Sequence, residues 1–155
     1  MSKTPDFDVA KAHRFFAADC FNHAWDLIDK PSRTPEEDRT MLQLGLASLW
    51  HWSQVPDRTP VNLSVGHWQA ARIYALLGQS DPAREHGELC FQTAHEGGDL
   101  PFYLGYAYEA LARAESVGCN AGKAEEYLRK ARELSEKIPD PEDRRQLLAD
   151  LATIK

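Results

Sequence analysis

The chain has 155 residues, of which 43% are hydrophobic and 27% charged, with 9 Gly, 9 Pro and 3 Cys. That is the size of one ordinary domain, with enough apolar side chain to bury a core. Its 18 Lys and Arg against 24 Asp and Glu leave a net charge of −6, which offers no positive field to a phosphate backbone and sets nucleic-acid binding aside.

The N-terminal run MSKTPDFDVAKAHRFF lacks the basic stretch and apolar segment of a secretory signal, and no apolar run is long enough for a membrane span. A cytoplasmic protein without membrane partners is expected. Cys20, Cys90 and Cys119 are odd in number and widely spaced, which fits reduced thiols better than a disulfide framework.

Nearly every segment between prolines and glycines has helical apolar spacing, and none alternates as a strand does, so the expected class is all-α. A first helix is expected from about Asp8 to Asp29, with Phe16, Cys20, Ala24 and Leu27 on one stripe and Phe21, Trp25 and Ile28 on another. A second begins with Thr34 as N-cap, Pro35 in its first turn and Glu37 closing a capping box, and runs to about Gln54. From Met41 to Trp52 only Gln43, Ser48 and His51 are polar, so that helix lies between neighbours or at the interface of a homodimer. A third helix is expected over Leu63–Leu77, ending at Gly78. A fourth is expected with Asp81 as cap and an end near Gly97, and a fifth from Asp99 to Gly118. A sixth over Ala121–Lys137 points Ala124, Leu128, Ala131 and Leu134 inward, and Asp140-Pro141 starts a seventh.

Residues 67–90, HWQAARIYALLGQSDPAREHGELC, place small Ala71 before Tyr74 and Gly78, with Ala83 and Cys90 following on the next helix. This resembles the tetratricopeptide repeat, a helix–turn–helix unit with small residues where its helices cross. In the next pair Ala107, Ala110 and Ala114 precede Gly118, and Ala124, Leu128 and Ala131 follow, at a spacing of about 40 residues. The resemblance implies stacked antiparallel helix hairpins of about seven helices over a single domain, 1–155. Within it the best-matched repeats are 63–97 and 99–137, the degenerate first pair is 8–54, and a capping helix spans 140–154. It departs from the family at Gly87, where the second helix of a repeat often carries an aromatic.

The resemblance further implies a non-enzymatic protein-interaction module whose first helices line a groove for a partner peptide or helix. Carried over by position, Trp68, Arg72 and Leu76 point into that groove from one hairpin, and Tyr108 and Glu115 from the next. Trp, Tyr and Arg suit such a role because they combine contact area with fixed polar geometry. The competing reading is interhelical packing for Trp68 and an acidic partner for Arg72. The fifth helix is dense in aromatics, Phe102, Tyr103, Tyr106 and Tyr108, ahead of Glu109 and Arg113, which stand one turn apart.

An alternative is a helical protein with a metal or small-molecule site of His, Cys and carboxylates. Cys20 with His23 and His86 with Cys90 each share a helical face and would together make a Cys2His2 set. Both cysteines, however, occupy small-residue positions of apolar stripes, where a thiol behaves as a compact hydrophobe. No metal and no cofactor are therefore expected. No nucleophile elbow, phosphate loop, dinucleotide fingerprint or zinc-protease helix is present, so enzymatic activity is undecided and a binding role preferred.

Overall fold

The computed structural model describes residues 4–155, which contain seven α-helices and no strand. They are α1 (Val9–Ile28), α2 (Pro35–Gln54), α3 (Pro60–Leu76), α4 (Ser80–Glu96), α5 (Pro101–Val117), α6 (Ala121–Ser135) and α7 (Pro141–Leu151). Helices adjacent in the chain pack on one another within α1–α2 and within α3–α7, as expected of an all-α array of hairpins. No helix of the described residues is long and apolar enough to cross a membrane. The chain divides into two compact units, one ending at Arg58 and the other spanning Thr59–Lys155, where the sequence reading takes 1–155 together.

The first unit is the α1–α2 hairpin. Asp8 caps α1 by accepting from Lys11 N–H, and Thr34 and Glu37 form the expected capping box on α2. Small residues, Ala17 and Ala24 against Gly45 and Ser48, are buried where the helices face each other. Ser48 Oγ donates to the Ala17 carbonyl at 2.7 Å, so the hydroxyl is satisfied inside the crossing.

In the second unit α3 pairs with α4 and α5 with α6; α5 also packs on α3 and α4, and α7 on α5 and α6. Three helix starts differ from the expectation, and α6 and α7 end at Ser135 and Leu151, short of the expected Lys137 and 154. Helix α3 starts at Pro60, because Thr59 caps it with Asn62 as the reciprocal partner. Asp81 lies inside the first turn of α4, where it bonds Arg84 instead of capping. Asp99 precedes α5 in the left-handed region, φ 57°, bonded to His95, while Leu100 takes the cap position without a side-chain bond.

The two hairpins repeat at an offset of 41 residues. Pro60 and Pro101 both open 17-residue helices. Ala71 matches Ala112, Ala83 matches Ala124, and Cys90 matches Ala131, all buried. The turns match as well: Gln79 N–H bonds the Tyr74 carbonyl and Asn120 N–H the Glu115 carbonyl, both at 2.9 Å. This is the long-range bond of a helix C-cap whose preceding residue is left-handed. That residue is Gly78 in the first hairpin (φ 73°) and Cys119 in the second (φ 59°), whereas Gly118 has an ordinary φ of −76°. The spacing read from Gly78 to Gly118 is thus one residue short.

Close approach explains the departure at Gly87, where a Cβ would stand 2.9 Å from Leu111 Cδ2. Gly105 likewise admits α7, since a Cβ there would fall 2.6 Å from Leu147 Cδ2. Leu147 and Leu151 pack with Tyr106, Leu128 and Ile138 in one cluster, so α7 closes the apolar face left by the last hairpin.

Candidate functional site

The one-residue correction to the repeat rearranges the expected groove. Trp68 and Arg72 correspond to Glu109 and Arg113, one turn apart on α5, and these four residues meet. Trp68 Nε1 donates to Glu109 Oε2 at 2.8 Å and Arg72 Nη1 donates to Oε1 at 3.1 Å. Arg113 donates to Oε1 from Nε and Nη2 at 2.8 and 2.6 Å. The Glu109 carboxylate is fully buried and each arginine side chain is 14% exposed. Arg113 Nη2 also donates to Thr153 Oγ1 and the Asp150 carbonyl, and Tyr106 OH donates to Asp150 Oδ2, tying α5 to the end of α7. Burial, followed by that bond to Asp150, pushes the Tyr106 phenol above its ordinary range. Trp68 stands edge-on to Tyr106 at 5.1 Å. Its indole and the Arg72 guanidinium are thus engaged between helices, as the packing alternative expects.

Glu115 is 3% exposed. It accepts from Arg84 Nε at 2.6 Å and from Asn120 Nδ2 at 2.9 Å, joining α4, α5 and the following turn. The Arg84 bond holds its carboxyl below the usual carboxylate range. Its contacts are interhelical, whereas Leu76, at the end of α3, is 40% exposed.

Tyr108 faces elsewhere. With Phe91 of α4 and Tyr127 of α6 it forms an aromatic row drawn from three successive helices, with centroid separations of 5.3 and 5.9 Å. Lys130 Nζ lies 5.5 Å from the Tyr108 ring centre and 5.7 Å from that of Tyr127, within reach of an attraction between cation and ring face. Glu126 accepts from Lys130 at 2.9 Å and raises its pKa. Phe91, Tyr108, Tyr127 and Lys130, with Glu88 and Leu111, line an open cleft of about 260 Å³. A larger hollow of about 430 Å³, bordered by Cys119, Leu128 and Ile154, has no aromatic lining. Phe91, Tyr127 and Lys130 escape the sequence reading; the i, i+3 spacing of Tyr127 and Lys130 is the one local signal that could flag them.

The four metal candidates are divided between the two units. Cys20 and His23 belong to the first unit, with His23 against Asp19 at 3.4 Å; burial, then the Asp19 charge, raises the Cys20 thiol. In the second unit Cys90 is buried beside Ser64 and pushed up to about 12 by desolvation. His86 turns instead to His67 of α3, Nδ1 to Nδ1 at 3.1 Å, and stacks on Tyr74 at 5.5 Å. Burial and then the neighbouring His86 lower His67 to about 4, and burial lowers His86. A second cross-helix pair, His13 and His51 at 2.8 Å, sits in the first unit beside exposed Phe16 and Trp50. Among the described residues no group of three or more His, Cys, Asp or Glu could hold a metal. No protein-family model matches the chain, and no curated protein or solved structure matches it.

Proposed function

We propose that the protein is a non-enzymatic interaction module of tetratricopeptide-like hairpins, and that its partner is an extended peptide segment lying along the α4–α5–α6 cleft. The observation that carries this reading is the Phe91–Tyr108–Tyr127 row with the Lys130 ammonium over two of its rings. Ring faces left partly open give apolar or proline side chains a flat surface, and the ammonium orients a carboxylate beside them. Tyr108 keeps the binding role expected from the sequence. Trp68, Arg72 and Glu115 act as the interhelical supports that hold α3, α4 and α5 in place, and Leu76 lies apart from the cleft-lining set.

A random-peptide display library panned on the whole protein tests this. Enriched sequences should combine a carboxylate with proline or aromatic residues. Tyr108→Ala should weaken their binding about ten-fold or more, as expected of a central aromatic anchor, and Lys130→Gln should remove the preference for the carboxylate. Enriched peptides indifferent to both substitutions, in variants that melt as the parent does, would refute the assignment, as would a library that yields none.

A further inference from the structure

We propose that His67 and His86 form a two-histidine chelating site for a borderline divalent transition ion such as Zn(II), bound through both Nδ1 atoms. This rests on the α3–α4 hairpin alone and does not depend on the peptide cleft.

The two Nδ1 atoms are 3.1 Å apart and come from different helices of one hairpin. At Zn–N distances of about 2.0–2.1 Å, tetrahedral geometry separates two ligating nitrogens by about 3.3 Å. The rings therefore need to part by only a few tenths of an ångström, while both lone pairs come to point about 35° off the N–N line at a common point. The other cross-helix pair, His13 and His51, is tighter at 2.8 Å, about half an ångström short of the tetrahedral separation.

Local packing favours His67 and His86 as ligands. The imidazole of His86 lies nearly parallel to the Tyr74 ring, 17° between planes, which restrains its orientation. Cys90, one turn further along α4, has its sulfur beside the Ser64 hydroxyl, 3.5 Å away, leaving the histidines as the donor pair.

The proton balance is simple. Each neutral imidazole carries one ring proton, and in the metal-free pair one Nδ1–H points at the other ring's Nδ1 lone pair. On binding, that proton transfers to Nε2 of its own ring, both Nδ1 lone pairs go to the metal, and no net proton is released. Two protein ligands leave the remaining positions to water, so the site is open. Nitrogen donors favour Zn(II), Ni(II) and Cu(II) over Mg(II) and Ca(II), with Cu(II) the tightest.

Zinc chloride titrated into the whole, untagged protein by isothermal calorimetry is the test. One equivalent should bind, with affinity falling about ten-fold or more in His67→Ala and in His86→Gln and unchanged in His51→Ala. In the unsubstituted protein, the ring-nitrogen resonances of His67 and His86 should shift before those of the other histidines. That readout holds whether or not the variants fold. No binding at millimolar zinc, undiminished binding in either variant, or first shifts at other histidines would overturn the site.

Discussion

Replacing Glu109 by Gln removes a negative charge from a carboxylate that is fully buried while leaving its shape and its bond from Trp68 nearly intact. Arg72 and Arg113, each 14% exposed, would lose their common counter-charge. Breaking a buried ion pair by removing one partner costs about 3–5 kcal/mol because the remaining charge is left uncompensated. Two features place this case near the lower bound: the Gln oxygen still accepts a hydrogen bond, and both guanidinium groups reach some solvent. A loss of about 3 kcal/mol is expected, equivalent to a fall of roughly 12 °C or more in melting temperature for a unit of this size. Trp68 is the one tryptophan of Thr59–Lys155, so Phe at positions 25, 50 and 52 isolates it as a fluorescence reporter of that unit in urea and thermal melts. Arg72→Met should cost less, since Arg113 still compensates the carboxylate, and adding it to Glu109→Gln should recover part of the loss. A Glu109→Gln penalty below about 1 kcal/mol, in the range of an exposed pair, would refute the buried-charge account.

Three further outcomes follow from the packing. Gly105→Ala drives a methyl into Leu147 Cδ2 and should destabilise the α5–α7 contact by about 1–3 kcal/mol; a neutral result in thermal melts would mean that α7 moves freely. Cys119→Gly should stabilise the protein by about 1 kcal/mol in urea titrations, because Cys119 occupies the left-handed turn position that Gly78 fills in the preceding hairpin. Glu115, with its carboxyl held low by Arg84 and Asn120 and by the charge of Lys123, contributes stability that is complete above about pH 4.5 and lost as pH falls through its lowered native value. Glu115→Gln should therefore be less stable at neutral pH and lose less on acidification, and parallel urea-midpoint profiles for the two proteins would contradict this.

The fold was legible where local chemistry and tertiary placement agree. Thr34, Pro35 and Glu37 mark the start of α2 from sequence alone, and Asp140-Pro141 does the same for α7, because each cap is satisfied within its own turn. It was less legible where a cap-forming residue takes another partner. Asp81 pairs with Arg84 and Asp99 with His95, while Gln79 and Leu100 hold the cap positions without side-chain bonds. The site depended on a repeat offset for which Gly118 was a false anchor. The left-handed residue is Cys119, a type that ordinarily avoids that conformation, so propensity points one position early. The paired prolines, Pro60 and Pro101, carry the true offset, and counting from them aligns Trp68 with Glu109. The histidine pairs have no short-range signature, since His67 and His86 meet only once α3 folds back on α4.

The stacking of Thr59–Lys155 also bears on how fast that unit folds. Each helix there touches only helices one or two places away in the chain: α3 meets α4 and α5, α4 meets α5, and α5 and α6 meet α7. No contact has to wait for distant ends to find each other, so the entropy of closing long loops is small and the search is short. Such a topology folds in milliseconds or less as an order of magnitude, and structure can start in either hairpin and spread to its neighbour. The terminal α7 packs on α5 and α6 through Leu147 and Leu151, and a terminal element held from one side is where local opening is expected to begin, which amide hydrogen exchange would read as its lower protection.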